Sequence, residues 1–232
     1  MQSTPSTTIA ELAAQSMAAV RVFEKFGIDY CCGGKRPLEA VCKEQGIDCA
    51  AVTHEIETAE QSPVSAGSDW NTTPTTQLIQ HIITTHHEFL RRELPLLAAR
   101  IAKVLQAHGS KDARLSAVSN TFAGLKDELL HHLDKEETIL FPLILRIETT
   151  GAATPPAVAA PISKMEAEHD SAGAALATLH ELTDDFAIPA HACNTYRAMI
   201  SGFNEIEADL HVHIHLENNI LFPRVLRNAG LL

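Results

Sequence analysis

Two stretches of the chain read almost alike. His132-Leu-Asp-Lys-Glu136-Glu-Thr-Ile-Leu-Phe-Pro142 and His213-Ile-His-Leu-Glu217-Asn-Asn-Ile-Leu-Phe-Pro223 both have the form HxxxExxILFP. Residues four apart share one helix face, so each copy projects an imidazole and a carboxylate the same way, a turn apart. Imidazole nitrogen and carboxylate oxygen are donors for a borderline divalent cation, and each copy therefore supplies half of a metal site.

The direction of each pair follows from the apolar spacing. Steps of three and four give Leu115, Val118, Phe122, Leu125, Leu129, His132, Glu136, Ile139 and Leu143 in the first copy. The second gives Met199, Phe203, Ile206, Leu210, His213, Glu217 and Ile220. Both pairs interrupt a buried stripe. A buried carboxylate without a counter-charge costs more than a fold's marginal stability, so a cation is expected between them. Two further stripes each carry one inward histidine: Ile83, His87, Leu90, Leu94, Leu97, Ile101, and Ile162, Met165, His169, Ala172, Leu176. His87 and His169 are 82 residues apart and the HxxxE pairs 81, which marks a two-helix repeat with pseudo-two-fold symmetry. His87, His132, Glu136, His169, His213 and Glu217 make a shell for two metals. Each carboxylate is able to bridge, and positions remain for solvent or ligand. Without thiolate donors the set suits Fe, Mn or Zn, iron above zinc. Glu128, one turn before His132, and Glu166 or Glu168 beside His169 are candidates to hydrogen-bond ligands or relay protons.

Four long helices must hold these residues: A about 75 to 107, B about 112 to 147, C about 161 to 185 and D about 190 to 227. Short A–B and C–D joins favour an up-down-up-down antiparallel bundle. Pro95, Pro142 and Pro223 fall inside helices and should bend them. Ligand depths match across A and B but not across C and D, which requires an asymmetric C–D loop or a longer helix C. Ahead of the bundle, Thr8 with Glu11 reads as a capping box, and the first helix stops at Gly27. Asp29-Tyr-Cys31-Cys32-Gly-Gly34 follows; Pro37 opens a second helix that Gly46 closes, and a third runs to about Glu60. The division is 1–62 for a small helical domain, 63–74 for a Pro/Ser/Thr-containing linker and 75–232 for the bundle. The fold class is all-α.

Composition narrows the function. A formal charge of −11 with no Lys/Arg run argues against nucleic acid, and no apolar run is long enough for a membrane span. Met1 to Thr8 lacks the pattern of a secretory leader, and five cysteines without a disulfide framework fit a reducing cytoplasm. Thirteen histidines are the compositional excess, in keeping with metal. Cys31 and Cys32, flanked by glycines with Lys25, Lys35 and Arg36 nearby, are expected to be exposed and reactive, with a redox, metal-handing or partner-binding role. Cys42, Cys49 and Cys193 read as structural.

The DYCCGG motif (Asp29 to Gly34), the MEAEHD segment (Met165 to Asp170) and both HxxxE copies, including LENNILFP (Leu216 to Pro223), together resemble the Repair of Iron Centres family, the YtfE/ScdA/DnrN group. Its bundle is hemerythrin-like, and the resemblance covers nearly the whole chain. It implies two non-haem irons bound by His87, His132, Glu136, His169, His213 and Glu217, with Glu136 and Glu217 bridging. It also implies repair of iron-sulfur clusters damaged by nitric oxide or oxidants, with the cysteine domain required; Cys31, Cys32 and, by its place on the helix face, Glu128 are the functional candidates beside the metal. Iron-sulfur proteins are then the clients, nitric oxide or dioxygen the small ligand, and a homodimer a further candidate. Repair by iron donation and reductive chemistry at the iron pair both remain open. So do a hemerythrin-like dioxygen or nitric oxide sensor or carrier and a di-iron nitric oxide reductase, and whether the protein is an enzyme at all.

Overall fold

The computed structural model describes residues 7–31, 33–61, 69–150 and 155–231, the side chains of 155–157 excepted. It is all-α: Thr8 and Pro37 form an isolated bridge, and no strand occurs among the described residues. The chain divides into two compact units, Met1–Leu78 with His211–Leu232, and Ile79–Leu210.

In the first unit, α1 (Ile9–Gln15) opens on the expected capping box: the Thr8 hydroxyl accepts from Glu11 N, and the Glu11 carboxylate accepts from Thr8 N at 2.8 Å. The single helix expected up to Gly27 is two. Ser16 is extended (φ −153°, ψ 121°), and its hydroxyl accepts from Ala18 N to cap α2 (Met17–Phe26). A serine side chain that satisfies an orphan amide makes a new helix start cheaper than continuing the old one. Gly27 (φ 65°) ends α2 and Gly46 (φ 69°) ends α3 (Leu38–Gln45), in a left-handed conformation that costs other residues about 1 kcal/mol. Asp48 caps α4 (Cys49–Glu60). Ile9, Phe23, Tyr30 and Val52 are buried in this unit. Its carboxyl-terminal part lies against α1 and is tied to the segment before the bundle, where Arg224 donates to the carbonyls of Trp70 and, at 2.8 Å, Thr73. Of the stretch read as a linker, 63–68 lie outside the described residues.

In the second unit, α6 (Glu88–His108) and α7 (Arg114–Lys135) run antiparallel, and α9 (Pro155–Leu182) lies against α7. The fourth helix, α10 (Asn194–His215), approaches α6 so closely that a Cβ on Gly202 would come within 3.0 Å of Leu97 Cδ1. Phe203 meets the Phe122 ring edge-on at 5.7 Å. Helix C begins six residues earlier than expected and ends at Leu182, and 183–193 form the asymmetric C–D loop that the ligand depths required. There Asp184, Asp185 and Phe186 all have positive φ (52°, 58°, 55°). This reversal returns Phe186 to the core, stacked on Phe203 at 5.2 Å, and that burial offsets the strain.

Three helical runs are wound into a π-turn where a candidate ligand sits. These are Ile82–His87 between α5 (Thr75–His81) and α6, Glu136–Leu140 between α7 and α8 (Phe141–Thr150), and Leu216–Leu221 between α10 and α11 (Phe222–Asn228). In both repeat copies the glutamate carbonyl accepts the i+5 bond, from Phe141 N to Glu136 O and from Phe222 N to Glu217 O. The next residue is proline each time, which lacks an amide and would clash with the carbonyl four residues back in an α-helix. Pro142 and Pro223 thus sit at the restart of a helix, after a π-turn, instead of kinking a helix interior. The extra residue also moves the buried stripe in the first copy. Ile139, expected inside, is 59% exposed, while Leu140, Phe141 and Ile144 are buried.

Candidate metal centre

Four of the six candidates belong to the second unit, and all are buried: His87, His132, Glu136 and His169, none more than 2% exposed. Glu136 turns one carboxylate oxygen toward each of two imidazoles, Oε2 at 3.4 Å from His87 Nε2 and Oε1 at 3.3 Å from His132 Nε2. His169 Nε2 lies 3.1 Å from His132 Nε2.

The outer ring nitrogens face carboxylates. His132 Nδ1 is 2.9 Å from Glu168 Oε2, and His87 Nδ1 is 2.9 Å from Glu137 Oε1. A carboxylate only accepts, so each Nδ1 carries hydrogen and donates, and Nε2 is the nitrogen that offers a lone pair on the Glu136 side when the imidazole is neutral. Lone pairs of two imidazoles and a carboxylate then converge in a buried space, an arrangement that a cation at their centre stabilises. Nitrogen and oxygen donors without sulfur fit iron. Lys135 also donates to Glu168, and Arg91 donates to Glu137 at 3.1 Å. Burial raises the Glu168 pKa, but the hydrogen bonds and charges of Lys135 and His132 outweigh it and hold the carboxyl at about 2. It stays a full acceptor for the imidazole proton.

The other two candidates, His213 and Glu217, are equally buried, with Nε2 to Oε1 at 3.4 Å. Within the second unit, ligand atoms of His132, Glu136 and His169 lie within 4.8 Å of one another. All six sequence candidates are thus buried, four in the second unit and two in the first.

Glu128 is placed elsewhere: it is exposed and accepts from Ser171 Oγ at 3.1 Å, because the buried face of α7 runs through Leu125, Leu129 and His132. Of the two glutamates near His169, Glu168 reaches a ligand, though the ligand is His132. Glu137 went unrecognised, although it follows Glu136 in the repeat. His86 joins Asp209 at 2.9 Å, and His180 joins Glu207 at 2.8 Å.

Cys31 is 5% exposed, contrary to the exposed thiol expected. The Asp29 carboxylate folds the loop over it, accepting from Cys31 Sγ at 3.3 Å, Cys31 N at 3.0 Å and Gly33 N at 2.8 Å. Two of the expected neighbouring cations are engaged elsewhere, Lys25 with Glu55 and Arg36 with Glu44. Cys32 lies outside the described residues. Burial, with a hydrogen bond to Cys49, pushes the Cys42 thiol up to about 11. Cys193, read as structural, is exposed, with its sulfur 3.4 Å from His108 Nε2.

A helical bundle whose interior gathers histidines and glutamates in this way defines a hemerythrin-type cation-binding protein. The chain belongs to that family: residues 78–225 match the hemerythrin HHE cation binding domain, and residues 5–60 match ScdA_N, a domain of unknown function. Similar proteins include the iron-sulfur cluster repair protein YtfE of Enterobacter sp. (strain 638), 38% identical over 218 residues, 94% of this chain and 96% of that one. Those of Yersinia pseudotuberculosis serotype IB (strain PB1/+) and Citrobacter koseri are also 38% identical, over 95% and 94% of this chain and 96% of theirs. The resemblance read from the motifs therefore extends along both domains. No helix among the described residues is long and apolar enough to cross a membrane.

Proposed function

We propose that this protein repairs iron-sulfur clusters damaged by nitric oxide or oxidants, using two non-haem irons held by His87, His132, Glu136, His169, His213 and Glu217, with Glu136 and Glu217 bridging. The observation that carries the reading is the Glu136 carboxylate, which offers a separate oxygen to His87 and to His132 inside a buried set of donors. The near full-length relatives that bear the repair name support the biological role. Bound there, iron supplies a redox-active centre with positions for nitric oxide or dioxygen, and iron itself is the substrate if repair proceeds by donation. Glu168 and Glu137 orient His132 and His87 and hold their Nδ1 protons; Lys135 keeps Glu168 charged, and Arg91 donates to Glu137. The domain of 1–62 brings Cys31 and Cys32 to the task of engaging the client, an iron-sulfur protein of the cytoplasm. We place Glu128 outside this chemistry.

Anaerobic iron quantification with Mössbauer spectra, before and after nitric oxide, tests the reading. Two irons per chain, lost in large part in His132→Ala, are expected. A single zinc whose content is unchanged in His132→Ala refutes it. A dioxygen or nitric oxide carrier would form a stable adduct without repairing a damaged cluster, and a nitric oxide reductase would release nitrous oxide. Replacing both cysteines, Cys31→Ser with Cys32→Ser, is expected to keep the iron and abolish repair.

A further inference from the structure

The two copies of the repeat diverge at the two residues after the glutamate, Glu137-Thr138 in one and Asn218-Asn219 in the other. In the first copy Glu137 serves His87. In the second the asparagines turn to the cysteine loop. Asn219 Nδ2 donates to the Tyr30 carbonyl at 2.8 Å and lies 2.9 Å from His215 Nδ1; Asn218 Nδ2 donates to the Cys31 carbonyl at 3.4 Å. An amide NH2 has two hydrogens, so Asn219 can serve both acceptors at once, which makes His215 Nδ1 the acceptor. Tyr30 is 1% exposed, its ring edge-on to His215 at 5.5 Å and its hydroxyl donating to Glu24 at 2.9 Å. All these groups lie in the first unit, and Asn219 sits on the same π-turn as Glu217.

We infer that Asn219 is a positioning residue that pins the carbonyl of Tyr30, and with it the Cys31 thiol, to the turn that carries Glu217. Asn218 adds a weaker second tie. The inference deepens the repair reading and rests on it for its biological purpose, though not for its geometry. A thiol only 5% exposed reacts when its loop opens, so removing a buried tie to the loop should raise the open population. Asn219→Asp keeps the size of the side chain but replaces the donor with an acceptor that repels the Tyr30 carbonyl. Asn219→Gln keeps the donor on a longer arm.

The test uses the full chain loaded anaerobically with ferrous iron, as wild type, Asn219→Asp and Asn219→Gln. Iodoacetamide alkylation of Cys31 is followed by peptide mass, alongside amide exchange, iron content and repair of a nitric oxide-damaged [4Fe-4S] protein. In Asn219→Asp, Cys31 should alkylate about tenfold faster, and exchange should quicken at the Asp29–Gly34 amides and not across the bundle. Iron content should be unchanged and repair reduced, with Asn219→Gln intermediate. Equal alkylation and exchange in wild type and Asn219→Asp overturn the inference, as does a rise spread evenly over the whole chain. If no protein repairs the cluster but the alkylation contrast persists, the positioning role stands and the repair reading alone falls.

Discussion

Glu168 illustrates how much of the centre lies outside its ligands. It accepts from His132 on one side and from Lys135 on the other, so its charge fixes the imidazole's tautomer and aim. Glu168→Gln keeps the shape but surrenders the charge, and iron affinity measured by chelator competition should fall about 10- to 100-fold; an unchanged affinity would refute the orienting role. His215 tests burial instead. Being buried lowers its pKa from 6.5 to about 4, so between those pH values the unfolded chain takes up a proton that the folded chain does not. Stability therefore rises with pH across that window and is lost as pH falls through it, by up to about 3 kcal/mol for this residue. Urea unfolding of the metal-free chain should show a shallower loss from pH 6.5 to 4 in His215→Gln than in wild type. Parallel curves would mean that the imidazole gains its proton without unfolding.

At the scale of the helix, the π-turns decide where ligands point. Deleting Thr138, an exposed residue inside the Glu136–Leu140 turn, should restore plain α-helix and leave Leu140, Phe141 and Ile144 on their buried face. Helix content by circular dichroism and the thermal midpoint should then stay near wild type while iron binding weakens more than tenfold. Deleting Ser119 from the regular part of α7 shifts one flank of the core by about 100° and should unfold the protein, since no extra residue exists there to absorb the loss. Retained iron in the Thr138 deletion would show that the turn is incidental to binding. The stripe predicted through Ile139 failed for this same reason. Helical spacing assumes a constant pitch, and the departure depends on Pro142, beyond Glu136, the last buried member of that stripe, and its effect only the folded backbone reveals.

For the whole molecule, six buried candidate ligands would couple metal to folding if they bind iron as proposed. With iron at about 100 times its dissociation constant, binding adds about 2.7 kcal/mol, which for a chain of this size corresponds to a rise of roughly 5–10 °C in thermal midpoint. Scans before and after chelation measure it, and coincident midpoints would mean that the donors are equally stable empty.

The burial of the four candidate imidazoles and two candidate carboxylates was legible in the sequence because helical periodicity carries burial and direction together, and because the repeat placed them twice. The all-α class, the four long helices and the glycine stops were legible on the same local grounds. Three matters belonged to tertiary structure. The break at Ser16 is a cap winning over helix continuation, a contest of similar local energies. Glu137 and Glu168 each reach a histidine on a different helix, and no spacing along the chain encodes which helix is the neighbour. The burial of Cys31 depends on the Asp29 turn and on asparagines 187 and 189 residues away in the chain. The sequence by itself determined which residues are candidates to bind a metal and the buried faces they occupy. Only the fold decided which carboxylate holds which imidazole, and that the thiol expected in solvent is tied beneath its own loop, because those choices are made by groups brought together across the chain.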